Sequence, residues 1–142
     1  MPAGAVTLDD IQSADWSLML DSSSTTQASG GGIGWVVKGV DDINQCIGII
    51  LTTPKGSDPL RPLFACDLWQ SLDAPITVAR PALVRDIVEA LIRWEPRIRV
   101  LNATVDLVGL SQLVITMTWR LKVDVAGVGN QRVTVTIARN LG

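Results

Sequence analysis

The apolar positions of this chain change period along its length, and each change predicts an element. Residues 113–125 alternate one for one, with Leu113, Ile115, Met117, Trp119, Leu121, Val123 and Val125 on one side and Val114, Thr116, Thr118, Arg120, Lys122 and Asp124 on the other. That is the period of a strand with one buried face. After the turn sequence AGVGNQ, residues 132–139 (RVTVTIAR) repeat the alternation, so the two segments predict an antiparallel β-ribbon. Residues 97–107 predict a further strand whose phase slips where Val100 and Leu101 are both apolar, the pattern of a bulge or an exchange of buried face.

Upstream, the spacing turns helical. Val84, Ile87, Val88, Leu91 and Trp94 recur on one stripe of residues 80–95, with Pro81 expected in the first turn and Arg85, Asp86, Glu89 and Arg93 mostly off the stripe. Residues 40–51 predict another helix, with Asp42 as N-cap, Gln45 three residues on, and Ile43, Cys46, Ile47 and Ile50 at i, i+3, i+4 and i+7. Between them, Pro54, Gly56, Pro59 and Pro62 forbid regular structure over 52–62, and 63–72 reads as a short helical turn or two holding Phe64, Leu68 and Trp69 inward. Near the N-terminus, 15–20 and 33–39 predict strands joined by DSSSTTQASGGG (21–32), a run with no apolar face; residues 1–14 and 21–32 are expected to be flexible.

This order predicts an α+β fold: an N-terminal strand pair, about three helices on a small, largely antiparallel sheet, and a C-terminal β-ribbon. At 142 residues the chain suits a single domain, 1–142. Its net charge of -2, with Lys and Arg scattered along the sequence, predicts no nucleic-acid partner. No run of apolar residues is long enough for a membrane span and no leader pattern is seen, so synthesis and folding in the cytoplasm are expected and no membrane partner. Cys46 and Cys66 have neither zinc-ligand nor redox spacing, and the chain has no histidine. No cofactor, metal or catalytic residue is therefore expected.

The segment IRWEPRIRV (92–100) concentrates charge where the long helix meets the next strand. Pro96 lacks an amide hydrogen and disfavours a helical conformation in the residue before it, so the helix must end by Glu95. A carboxylate there faces the negative end of the helix dipole unless cations compensate, and Arg93, Arg97 and Arg99 are near in sequence. Two readings follow: a charge cluster that solvates a helix end, or an Arg/Glu fork organised to meet a partner chain.

The stretch from Asp41 to Val100 resembles the phage baseplate assembly protein W family, wedge proteins of contractile tails sometimes labelled T4-type "lysozyme", whose relatives include a baseplate subunit of type VI secretion systems. The matching pieces are DDINQCIGIILTTPKGS, RPLFACDL and IRWEPRIRV, the last holding the family's Glu-Pro-Arg signature as Glu95, Pro96 and Arg97. The chain departs from the pattern at Asp58, where relatives often carry arginine, and at Ala65, where they often carry glycine. The resemblance implies a structural protein near the tail tube or hub, in a virion or particle baseplate. It implies that larger wedge proteins are met at Arg61, Asp67, Arg93, Glu95, Pro96, Arg97 and Arg99, and that the C-terminal strands are similar to the linking part of a sheath protein.

A sheath-like or wedge partner is accordingly expected to add strands to the ribbon edge, whose outer positions are Arg120, Lys122, Arg132, Thr134, Thr136 and Arg139. The alternatives are an unrelated cytosolic binding module and a glycoside hydrolase, which needs two suitably placed carboxyls. The chain has only two glutamates, Glu89 and Glu95, six residues apart on different helix faces, although Asp67 or Asp73 could supply one member.

Overall fold

The structure, a computed structural model, describes residues 6–7, 16–18, 35–68, 74–109, 112–123 and 127–138. Residues 21–32, most of 1–14, and Trp69, Asp73, Asp124, Val125 and Arg139 lie outside the described residues. The chain forms two compact units, 1–46 and 47–142, and the division falls within a helix.

In the first unit, β1 (Val6–Thr7) and β2 (Trp16–Leu18) both pair antiparallel with a central β3 (Trp35–Lys38). The expected strand pair is thus three-stranded, because a short piece of the N-terminal arm joins it. Gly39, at φ +58°, turns β3 directly into α1 (Gly39–Thr52), a conformation that glycine reaches without steric cost. The helix therefore starts earlier than the sequence predicts. Asp42 lies inside its first turn with Asp41, where acidic side chains complement the helix dipole, and is not the N-cap. Gln45 does not cap either: its amide donates to Ser17 Oγ at 2.9 Å and to the Leu18 carbonyl at 2.7 Å, tying α1 to β2.

In the second unit, α2 (Ile76–Trp94) leads into the antiparallel sheet β4 (Ile98–Val108), β5 (Gln112–Leu121), β6 (Gln131–Ala138), in that spatial order. Among the described residues two α-helices, not three, make up the α part of this α+β fold. Residues 63–67 are not helical: Arg61 to Phe64 forms a turn, and Cys66 bridges to Pro54, while Leu68 has 3-10 geometry and 69–72 lie outside the described residues. The i, i+4 spacing of Phe64 and Leu68 imitates a helix, but Pro62 and the left-handed Ala65 (φ +78°) prevent one. Leu68 is nevertheless buried.

α2 begins at Ile76, directly after Pro75, whose carbonyl accepts from Val78 and Ala79. Pro81 therefore lies within the helix and not in its first turn. Its buried face is Ala79, Leu83, Ile87, Ala90 and Leu91, turned slightly from the expected stripe, with Val84, Val88 and Trp94 half-buried. This face packs on the sheet, chiefly along β4. From the sheet come Ile98, Val105, Leu113, Ile115, Met117, Trp119 and Ile137, all buried. Each such side chain contributes about 1.5–3 kcal/mol by leaving water. β4 carries the expected irregularity: its register with β5 shifts between Val100 and Asn102, leaving Leu101 exposed. The alternation of β5 ends before Val123, which is 75% exposed.

Candidate docking site at the end of helix α2

The end of α2 is a folded corner. The Glu95 N–H closes the helix on the Leu91 carbonyl at 2.8 Å, Pro96 forms the exposed turn, and the Arg97 carbonyl accepts from the Lys122 N–H at 3.0 Å, joining the corner to the end of β5. Arg97 folds back on Glu95 with two parallel bonds, Nε to Oε1 at 2.6 Å and Nη2 to Oε2 at 2.9 Å. The two-pronged geometry is the strong, orientation-fixing form of this ion pair. The side chain of Glu95 is 4% exposed and that of Arg97 31%. Glu95 is therefore no solvated helix end: its carboxylate is sealed under a guanidinium whose outer part reaches solvent.

A second set of contacts braces the corner. Asp58 accepts from the Leu60 N–H at 2.9 Å and from Arg61 Nε at 3.1 Å, and these donors, the Leu60 N–H foremost, hold its carboxyl below the usual range. Arg61 stacks 4.5 Å from the Phe64 ring, Phe64 meets Trp94 edge to face at 5.1 Å, and Arg93 lies 5.4 Å from the Trp94 ring. Charge and aromatic faces thus alternate from the 52–64 loop to the last turn of α2. Asp58, Phe64 and Trp94 were not expected as site residues. The spacing of Asp58 before Leu60 and Arg61 is the signal that could have found the first, since an Asp side chain captures the amide two residues on.

Beside this stack, a cleft of about 300 Å3 lies between the loop and α2, lined in part by Lys55, Cys66, Asp67, Asp86, Glu89 and Arg93. Burial pushes the Cys66 thiol up to about 12, with the charges of Asp86 and Asp67 adding to it. Among the described residues, no group of His, Cys, Asp and Glu is placed to hold a metal ion, and no described helix is long and apolar enough to cross a membrane.

The structure brings Arg93, Glu95, Pro96 and Arg97 together at the corner. Arg61 reaches it through Phe64 and Trp94, and Asp67 lines the cleft. Arg99 is not part of this group. It lies on the outer sheet face opposite Arg120, and Arg132, Thr134 and Thr136 are exposed on β6, the edge strand beside β5.

The family model of baseplate wedge protein gp25 matches residues 37–126, from β3 past the end of β5. The chain belongs to the baseplate wedge protein gp25 family. It is a structural component of the baseplate of a contractile tail-like machine. The match to this baseplate wedge family includes α1, the 52–68 loop and the whole α2 corner, and stops short of β6. Among solved structures, a Geobacter sulfurreducens protein described as a tail lysozyme is similar at 27% identity over 70% of this chain and 90% of its own, with a TM-score of 0.62. A chain of the postcontracted pyocin R2 baseplate is similar at 23% identity over 87% of this chain and 100% of its own, with a TM-score of 0.49. None of the curated proteins matches.

Proposed function

We propose that this chain acts in the baseplate as a joint, docking the larger wedge proteins with its α2 corner and offering the β6 edge to a sheath strand, in a particle assembled in the host cytoplasm close to the tail tube or hub. The observation that carries the reading is the Glu95–Arg97 pair. One partner is buried and holds the other in a fixed orientation, so Arg97 meets an incoming surface with its rotamer already set, and little side-chain entropy remains to be lost on docking. Exposed Pro96 and Arg93 flank it. In this reading Glu95 positions Arg97 and does not itself touch the partner.

The edge position of β6 supports the second half. Its exposed Arg132, Thr134 and Thr136 keep a strand edge soluble until a partner strand adds to it. Prolines at Thr134 and Val135 test this, because successive N–H groups point to opposite sides of a strand. One proline should break the bond to β5 and unfold the sheet. The other removes only an outward donor, and should leave the chain folded but unable to start sheath assembly in a reconstituted tail. Normal sheath assembly by that folded variant overturns strand addition.

The cleft beside α2, with Asp67, Asp86 and Glu89 among its lining, and the resemblance to a protein described as a tail lysozyme favour a second reading as a glycoside hydrolase. Both oxygens of Glu95 are committed to Arg97, which counts against that residue as an acid catalyst. The test is peptidoglycan turnover by purified protein and by Asp67→Asn, Asp86→Asn and Glu89→Gln variants. No turnover is expected; turnover abolished by one of these substitutions establishes the enzyme.

A further inference from the structure

The pairing of β4 with β5 gathers cations that lie far apart in sequence. Arg99 is directly opposite Arg120, and one rung further out the Arg97 carbonyl is bonded to the Lys122 N–H. One outer rung inward, Thr118 is flanked by Asn102 on β4 and Arg132 on β6. Arg99 and Arg120, and Thr118 with its partner Arg132, share one side of the pleat, since directly opposed residues and alternate residues along a strand face the same way. This is the outer face of the sheet; Trp119, Met117 and Ile98 fill the other. Same-face neighbours are about 7 Å apart along a strand and opposite residues about 5 Å apart, so Arg99, Arg120 and Arg132 occupy a patch roughly 15 Å across.

The arrangement is unusual in three ways. Like charges directly opposite one another in a sheet are destabilising, yet Arg99 faces Arg120. Arg99, Arg120, Lys122 and Arg132 are exposed and form no ion pair among the described residues, and Arg97 is about one third exposed above Glu95. The described acid on the same face, Asp106, lies toward the far end of β4 and is taken by Arg80 at 3.4 Å. The chain as a whole is nevertheless acidic, with a net charge of -2, so the patch does not reflect general basicity.

We infer that this outer-face patch, built by Arg99, Arg120 and Arg132 with Lys122 just past the end of β5, is a docking surface for an acidic protein segment. Charge complementarity selects the chemistry of the occupant, and a partner carboxylate between Arg99 and Arg120 would turn their repulsion into attraction. The breadth of the patch suits a helix with carboxylates at i and i+4, which are 5–6 Å apart. The preference for a protein over a phosphate ligand rests in part on the baseplate reading; the patch itself does not.

Binding of a fluorescein-labelled, Glu-rich helical peptide to the full chain by fluorescence anisotropy tests the inference. A single-stranded oligonucleotide of equal charge and inorganic phosphate are run as competitors, and sedimentation monitors self-association. At 50 mM salt the peptide should bind at least about tenfold more tightly than the oligonucleotide, and weaken by a similar factor at 300 mM as the charges are screened. Arg99→Glu with Arg120→Glu should abolish binding, Arg132→Glu should weaken it, and Arg80→Glu with Arg85→Glu, an equal change of charge on α2, should not. Circular dichroism confirms that the variants fold. Absence of peptide binding, equal loss in the α2 control, stronger binding of the oligonucleotide, or salt-sensitive self-association that disappears with the Arg99 and Arg120 reversals each overturns the inference. None of these outcomes depends on sheath assembly, so the baseplate reading stands or falls separately.

Discussion

Truncating Arg97 to alanine leaves the Glu95 carboxylate 4% exposed and without its two-pronged partner. Breaking a buried pair by removing one member costs about 3–5 kcal/mol. Arg97 is 31% exposed, so water can enter where the guanidinium was, and the low end of that range, about 3 kcal/mol, applies. Against a total stability of about 5–15 kcal/mol this is a large fraction. With an m-value of about 2 kcal/mol/M, the urea midpoint should fall by about 1.5 M. Replacing both residues, Glu95→Met with Arg97→Met, removes the buried charge together with its partner and should recover stability to within about 1 kcal/mol of the parent, because an apolar pair of similar volume needs no desolvation of ions. Urea titrations followed by tryptophan fluorescence, with Trp119 fully buried as reporter, measure both. An Arg97→Ala variant within about 0.5 kcal/mol of the parent would refute the reasoning and return the pair to an ordinary surface contact.

Ala65 holds a left-handed φ of +78° while buried, a conformation costing an L-residue roughly 1–2 kcal/mol; Ala65→Gly should stabilise the chain by about 0.5–1 kcal/mol in the same titration, and a loss of stability would contradict the strain. Cys66, with its pKa raised from 9.0 to about 12, should resist thiol reagents in the native protein at pH 8 and react on unfolding. Because the folded state keeps this thiol protonated where the unfolded chain ionises, the contribution is complete below about pH 9 and lost as pH rises toward 12, so the urea midpoint should fall across that window and a flat profile would contradict it.

Much of the sheet was legible because its signals are local. The strict alternation of 113–125 and 132–139 and the slip at Val100 and Leu101 state which face is buried and where pairing breaks, and the structure agrees as far as Leu121 and Ala138, with Val123 exposed past the end of β5. The starts of the helices were less legible. Pro81 is a residue type that opens helices, and Thr77, Val78 and Arg80 before it point to solvent, so no apolar period marks the true first turn after Pro75. The spacing of Phe64 and Leu68 satisfied a helical pattern that the turn at Arg61 to Phe64 and the Cys66–Pro54 bridge deny. Tertiary facts were least visible. Glu95 reads as a solvated charge until Arg97 folds back over it, and Arg99 reads as one of its neighbours until register sets it opposite Arg120.

In the proposed baseplate joint, Glu95 and Arg97 organise the α2 corner to dock a larger wedge protein. The most direct test is complementation in cells that make the particle but lack this chain, scored by electron microscopy for sheathed tails. The wild-type chain should restore sheathed, contractile particles. The Glu95→Met, Arg97→Met variant, stable and soluble by the urea titration above, should yield none, since it keeps the fold and lacks the oriented guanidinium. Sheathed particles formed with that variant, or formed without the chain at all, would contradict the account.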